Sequence, residues 1–231
     1  MEYAVHTTSN IEEFLAVSVV PISGAVIYRG VSDASYDLLP SIGRWKGPIH
    51  SRNAFERQVF DDFKDQALGY LVSHPRNTWE WLFLAQHHGL PTRLLDWTSS
   101  PLIALRFALM TPKKTQFAVY RASIAHVLTT SIALNMNSDP LNFNSTAQIH
   151  PSYVSARIER QHSIFTIQPD PWTPLQDPNQ IHKFVFPAEA RREALRKLQY
   201  YGITTSLLTP SLENLARDIV FSRSVSLDYD A

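Results

Sequence analysis

The sequence predicts a single α+β domain. Short β-branched and apolar runs alternate with segments in which apolar residues recur every three or four positions, the spacing of amphipathic helices. The 231 residues suffice for one large domain or two small ones, but no linker or internal repeat divides them. We therefore expect one domain over residues 1–231.

Composition excludes several classes of site. The 21 basic and 21 acidic side chains cancel, which argues against a strongly basic groove over the whole surface and leaves a local patch open. The absence of cysteine excludes disulfides, thiol nucleophiles and Cys-zinc sites. No apolar run approaches the roughly 20 residues of a membrane helix, and the N-terminus lacks signal-peptide features. These features predict a cytoplasmic protein without a membrane partner.

The first part of the chain alternates helices with one strand. The predicted elements are a helix over 11–17, a strand over 24–28, a loop over 31–49 and helices over 53–72 and 78–88. Within 53–72 the spacing places four charged side chains on the solvent face: Glu56, Asp61, Asp62 and Lys64. The next helix is expected to begin after Asn77, with Glu80 completing a capping-box-like start.

The second part contains shorter elements. The predicted strands are 94–98, 116–122, 163–167, 183–186 and 204–208, and the predicted helices are 101–110, 187–201 and 211–221. Four prolines in or beside 170–182 predict an exposed loop or lid. Residues 123–157 mix apolar pieces with Asn, Ser and Pro and receive no assignment.

Polar side chains gather in segment 84–108, which reads LAQHHGLPTRLLDWTSSPLIALRFA. They are Gln86, His87, His88, Thr92, Arg93, Asp96, Thr98 and Ser99. Because polar groups near a core need partners, this density predicts either a built binding site or an internal hydrogen-bond network.

Two charged residues have both a functional and a structural interpretation. Arg29 follows a predicted strand, where a guanidinium can bind phosphate or carboxylate through two hydrogen bonds. It can equally form a salt bridge with an acid such as Asp33, Asp37 or Asp96. The Asp96 carboxylate needs a donor, Arg93 or Arg29, and we interpret it as an orienting group.

The histidines and hydroxyls have similar alternatives. His87 and His88 are adjacent and point in different directions, so we expect no metal site there; one of them suits a helix C-terminus. Gln86 and His87 could also bind a base or amide. Thr98, Ser99 and Ser100 precede Pro101, so they can cap a helix or bind an anion or ribose at its N-terminus.

Four stretches of this sequence resemble the FRG domain family, named for an aromatic-Arg-Gly motif. They are YRGVSDASYDLLPSIGR at 28–44, the segment 84–108, RIERQHSIF at 157–165 and the C-terminal PAEARREALRKLQYYGITTSLLTPSLENLARDI. The resemblance covers roughly residues 20–220, the motif-bearing core of a single FRG-type domain.

A more distant likeness is to arginine-type ADP-ribosyltransferases. It implies a split mixed or antiparallel sheet with flanking helices and NAD as the cofactor. VIYRG at 26–30 is similar to their first strand, so Arg29 would hold phosphate with Tyr28 and Gly30 beside it. DWTSSPLIALRFA at 96–108 is similar to their Ser-Thr-Ser strand and helix, so Thr98 and Ser99 would order the pocket.

This sequence departs from those enzymes at their third motif, which carries the catalytic glutamate. Their catalytic glutamate would be replaced by Ser163 in Gln161-His162-Ser163, and Gln161 would lie near the ribose. Glu159 lies further back, and a shift of two residues moves a side chain by about 7 Å along a strand. Either another acid serves, or the fold persists without this chemistry.

These implications give the expected function. The resemblance implies a domain that binds NAD or a related nucleotide and transfers ADP-ribose to a protein or nucleic-acid target, in bacterial or phage conflict. The expected catalytic residues are Arg29, Thr98, Gln161 and His87, with Tyr28, Gly30, Gln86 and Ser99 in the cofactor site and Arg93 and Asp96 supporting it. The alternatives are a non-catalytic nucleotide or nucleic-acid recognition module, and a hydrolase using His87 as base.

Overall fold

The computed structural model describes residues 3–19, 26–111, 113–129, 138–151, 160–176 and 180–227. Within these ranges the chain forms an open mixed sheet with flanking helices, which confirms the α+β class. The strands are β1 (Ala4–Thr7), β2 (Val26–Val31), β3 (Leu95–Thr98), β4 (Phe117–Ser123), β5 (Val127–Thr129), β6 (Ala147–His150), β7 (Ser163–Ile167) and β8 (Ile181–Phe186). Their order across the sheet is β1-β8-β4-β2-β3-β7-β6-β5.

Helices cover the sheet in two groups. They are α1 (Ile11–Ser18), α2 (Arg52–Ala67), α3 (Thr78–His87), α4 (Pro101–Leu109), α5 (Ala190–Tyr200), α6 (Thr205–Leu208) and α7 (Leu212–Leu227). Helices α1, α4 and α5 pack with β2, β4 and β8 in one apolar cluster, whereas α2 and α3 pack with β6 and β7 in another. None of the described helices is long and apolar enough to span a membrane.

A third apolar cluster lies beneath β2, β3 and β4 and is closed by loops. Trp97 is buried in it and donates its indole N–H to Thr166 Oγ1 at 2.8 Å, while Leu38 and Leu175 cover the cluster from the loops. The loop after β7 was expected to be exposed, but its described part is anchored by Leu175, whose N–H bonds to Leu38 O at 2.9 Å.

Most predicted elements occur, and the failures have local causes. Residues 204–208 form α6 instead of a strand, because Thr204 caps this turn and the Asp218 carboxylate accepts the N–H groups of Thr205 and Ser206. Sequence patterns missed β1, a largely exposed edge strand parallel to β8, and β5 and β6 within 123–157. Residues 20–25, which contain part of the predicted strand 24–28, lie outside the described residues.

The buried face of α2 is not the face that the sequence predicted. Glu56 was expected on the solvent face, but Glu56 and Phe60 are the buried residues of this helix, at 4% and 3% exposure. They lie four positions apart and so share one face. A carboxylate on that face needs a buried cation, which the next section identifies.

Gly30 allows α4 to lie directly on β2. A β-carbon at this position would lie 1.8 Å from the carbonyl oxygen of Ala104 and 2.7 Å from the amide nitrogen of Ala108. Both obstacles are backbone atoms, which cannot rotate away as a side chain can. The glycine of the motif is therefore required by helix–strand packing.

Gly30→Ala should force α4 away from β2 and destabilise the fold. We expect a loss of about 1–3 kcal/mol or more in the free energy of unfolding, measured by urea denaturation. Gly69→Ala is the matched control, because a β-carbon on Gly69 meets no atom within 4 Å. Equal stability of the two variants would contradict the close approach.

Candidate functional site

Strands β2 and β3 are neighbours at the centre of the sheet, yet they share only one residue pair, Tyr28 with Thr98. Beyond this pair the strands separate, and the side chain of Arg29 spans the gap. Its Nη1 donates to the main-chain carbonyl of Asp96 at 2.5 Å and lies 3.6 Å from the Asp96 carboxylate. The gap opens a cleft in the middle of the sheet, with an arginine in it.

The cleft has a volume of about 340 Å³. Its described lining comes from β2 and the loop after it, α3, β3, α4 and the start of β7: Tyr28, Arg29, Gly30, Val31, Ser32, Tyr36, Gln86, Asp96, Trp97, Thr98, Phe107, Thr111, Gln161 and Ser163. The structure therefore brings together Arg29, Gln86, Asp96, Thr98 and Gln161, which come from three separate parts of the sequence.

A chain of hydrogen bonds fixes the carboxylate wall of the cleft. Ser41 Oγ donates to Thr92 O at 3.2 Å and accepts from Thr92 N–H at 2.9 Å. The Thr92 hydroxyl donates to Gln86 Oε1 at 2.5 Å, and Gln86 Nε2 donates to Asp96 Oδ2 at 2.8 Å. Both ends of the Gln86 amide are thus engaged within the protein, so Gln86 positions Asp96 at the cleft. Asp96 in turn orients the Arg29 guanidinium, as its expected orienting role implies.

The turn before β3 is anchored by a buried ion pair. Arg93 Nε and Nη2 donate to the two oxygens of Glu56 at 2.8 and 2.6 Å, and both side chains are 4% exposed. Arg93 was expected as a possible partner of Asp96. It instead fastens the turn to α2. The Asp96 carboxylate accepts from Gln86, and Arg29 donates to the Asp96 main-chain carbonyl and lies 3.6 Å from the carboxylate.

The hydroxyl groups that precede α4 mainly cap the N-terminus of that helix. Ser100 is the N-cap and accepts from Ile103 N–H at 3.4 Å, while Thr98 Oγ1 accepts from Ser100 N–H at 3.2 Å. Thr98 is buried and lines the cleft. Ser99 is exposed, approaches His162, and is not among the lining residues, so its expected place in the pocket is not observed.

The turn into β7 brings two further polar residues to the cleft. Gln161 is buried and its Nε2 donates to Leu208 O at 2.9 Å, so it also fastens α6. His162 has φ 48°, in the left-handed region that non-glycine residues seldom adopt. Ser163 follows, pairs with Thr98 and lines the cleft at the position that the resemblance gives to a glutamate.

His87 does not line the cleft, which removes geometric support from its expected catalytic and cofactor-binding roles. Its ring contacts the ring of His88, which instead faces an apolar groove between α2 and α3. Glu159 lies outside the described residues. Among the residues that the structure describes, no group of three or more side chains of the metal-ligating types is placed to hold a metal ion.

Sequence reasoning did not single out Tyr36. This tyrosine is 48% exposed, lines the cleft and accepts a hydrogen bond from Lys113 Nζ at 2.5 Å. Its loop is held in place because the Tyr120 hydroxyl donates to Tyr36 O at 2.7 Å. The only sequence signal was its place within the quoted motif YRGVSDASYD.

Arg29 is the one cation among the described lining residues, and it lies beside the Asp96 carboxylate. Burial lowers the pKa of the Arg29 guanidinium and nearby Arg44 adds to this effect, while Asp96 opposes both. An arginine nevertheless keeps its charge in a protein. Within the described residues its Nε and Nη2 make no hydrogen bond, so these N–H donors are available to a ligand.

A family model for the FRG domain matches residues 24–116, which supports the resemblance to that family. This span contains β2, α2, α3, β3 and α4 and hence Arg29, Gln86, Asp96 and Thr98, but not Gln161. Comparisons with curated proteins and with solved structures gave no match. The likeness to ADP-ribosyltransferases therefore remains a hypothesis.

Glu56→Leu should destabilise the protein by about 3–5 kcal/mol, because it leaves the Arg93 guanidinium buried without its partner. The double variant Glu56→Leu/Arg93→Met should recover most of that loss, since it removes both charges from the interior. Urea denaturation of the two variants and the wild type measures both effects. A double variant no more stable than the single one would argue against an energetic role for the pair.

Proposed function

We propose that the cleft binds NAD or a related nucleotide and supports an ADP-ribosyltransferase-like transfer of ADP-ribose to a macromolecule. The observation that carries this proposal is the position of Arg29. Its guanidinium lies in a gap in the sheet, uses one donor on Asp96 and presents further donors to the cleft. Arginine recognises phosphate groups through such paired donors.

The size of the cleft supports binding of one half of a dinucleotide inside it. Small-molecule pockets typically span about 300–1,000 Å³, and this cleft lies at the lower end of that range. With the pyrophosphate at Arg29, one nucleoside would occupy the cleft and the other would extend from its open side. Tyr36 provides an exposed aromatic ring at the wall for contact with the inner nucleoside.

Asp96 is the only carboxylate among the described lining residues. Transfer breaks the bond between nicotinamide and ribose, with the bonding electrons leaving on nicotinamide, and joins the ribose carbon to an acceptor that gives up a proton. Positive charge develops on the ribose during this step, and a fixed carboxylate stabilises it. We therefore assign the stabilisation of this charge to Asp96, which Gln86 holds in place. Ser163, at the position that the resemblance gives to a glutamate, has no carboxylate for this role.

Arg29→Ala should weaken NAD binding about tenfold to a hundredfold through the loss of charge-assisted hydrogen bonds. Arg29→Lys should restore it only in part, because an ammonium does not reproduce the planar pair of donors. Isothermal titration calorimetry measures both, with Arg217→Ala on the exposed face of α7 as the control. Absence of binding to the wild-type protein would contradict the proposal.

Asp96→Asn separates binding from chemistry. The amide keeps the shape of the side chain, so NAD binding should stay close to that of the wild type. Release of nicotinamide should fall on the order of a hundredfold, since the negative charge is lost. Nicotinamide released at the wild-type rate would exclude Asp96 as the stabilising acid.

A further inference from the structure

A second surface lies beside the cleft and combines cationic with aromatic side chains. Arg44, Trp45, Lys46, Arg52 and Trp172 form it, and we refer to them as the basic–aromatic surface. Arg44 and Lys46 are exposed, and Arg52 and the two tryptophans are partly exposed. None of the five lines the cleft.

The aromatic rings of this surface are held in defined positions. Trp45 stacks on Phe55, with ring centroids 4.1 Å apart and planes 9° apart. The ring centroids of Trp172 and Trp45 are 6.3 Å apart, and the Arg52 guanidinium lies 5.4 Å from the centroid of the Trp172 ring. The indole N–H of Trp172 donates to Asn53 Oδ1 at 3.3 Å. The rings are therefore preorganised at a site where they remain partly open to solvent.

Two loops carry these rings, and they pack closely against each other. A β-carbon on Gly43 would lie 2.3 Å from the carbonyl oxygen of Pro171, so the backbone of one loop rests on that of the other. The loop that carries Trp172 is also fixed internally, because Gln168 Nε2 donates to Asp170 O and Thr173 O at 2.6 Å each. Binding at this surface would order little additional chain.

The charge of the surface is strongly positive although the whole chain is neutral. Residues 41–57 carry four cations and one acid, Glu56, and that acid is buried against Arg93. Among the described residues no carboxylate pairs with Arg44, Lys46 or Arg52, whereas Arg57 pairs with Asp139. The described part of the loop that carries Trp172 contains one acid, Asp170, whose Oδ1 accepts from the Trp172 main-chain N–H. Three cations thus remain for an external anion.

A hydrogen bond connects the first loop of the surface to the residues that support the cleft. Ile42, at the base of its first loop, donates its N–H to Thr92 O at 3.1 Å, and Thr92 belongs to the hydrogen-bond chain that holds Asp96. Arg44 is close enough to Arg29 to lower the pKa of its guanidinium. The first loop of the surface is therefore bonded to the network that holds the Asp96 wall of the cleft.

We propose that the basic–aromatic surface binds single-stranded nucleic acid. Repeated phosphates match the three unpaired cations, and bases exposed by strand separation match the tryptophan rings. A duplex hides its bases and would gain only the phosphate contacts. The surface gives a place for a nucleic-acid target beside the cleft, but the inference does not rest on NAD chemistry, because binding is tested without any nucleotide cofactor.

Fluorescence anisotropy of the full chain with fluorescein-labelled single strands of about 12 nucleotides, as DNA and as RNA, tests the proposal. At about 50 mM salt, Arg44→Glu/Lys46→Glu should weaken binding at least tenfold and reduce the salt slope by about 1.4, the value for two lost phosphate contacts on a single strand. Trp172→Ala should weaken it at least about fivefold through lost stacking.

Matched controls lie on the opposite end of the chain. Arg217→Glu/Arg223→Glu on α7 makes the same change in net charge at exposed positions, and Tyr200→Ala removes a ring that is 87% exposed. Both should bind the strands as the wild type does. Because Arg44 and Lys46 are exposed, their double variant keeps the test valid even where Trp172→Ala fails to fold.

Three results would overturn the proposal. They are no binding by the wild type, equal weakening by the control variants, and equal or tighter binding of the duplex or of an oligoglutamate peptide of matching charge. The peptide result would identify an acidic polypeptide as the partner. Binding of the strands without binding of NAD would leave this inference intact and remove the proposed enzymatic function. Binding of NAD without binding of the strands would remove this inference and leave the proposed function intact.

Discussion

The incomplete pairing of β2 with β3 is the constraint on which the site depends. In a sheet, neighbouring strands normally satisfy each other's main-chain groups, and a gap leaves some of them without partners. Here the Asp96 carbonyl accepts from the Arg29 side chain, so a charged group takes over part of the role of the ladder. The Arg29 side chain that bridges the gap also places a guanidinium at the centre of the sheet.

Such a gap persists only if both of its walls are held from outside. On the β2 wall, Gly30 admits the backbone of α4 in direct contact, which fixes the strand against the helix. On the β3 wall, the Arg93–Glu56 pair ties the preceding turn to α2, and Gln86 ties Asp96 to α3. Contacts with three helices thus fix both walls of the gap.

The sequence revealed the motif residues but not the contacts that support them. Arg29, Thr98 and Gln161 could be identified from the sequence because they lie within the quoted motifs, and all three line the cleft. The role of Glu56 was hidden because an acid on an amphipathic helix is normally solvated, and only its distant partner, Arg93, explains its burial. Strand β1 was equally hidden, since an exposed edge strand is defined by its neighbour β8 rather than by its own pattern.

The network around Thr92 gives the two proposed sites a physical connection. The loop that carries Trp45 is bonded to Thr92 through Ser41 and Ile42, and Thr92 orients Gln86 and through it Asp96. The hydrogen bonds of this series run from the half-buried Ser41 through the buried Thr92 to the exposed Asp96 carboxylate. Since Gln86 uses both ends of its amide, it cannot keep one contact and rotate freely. The position of Asp96 is therefore tied by a series of hydrogen bonds to the loop that carries Trp45.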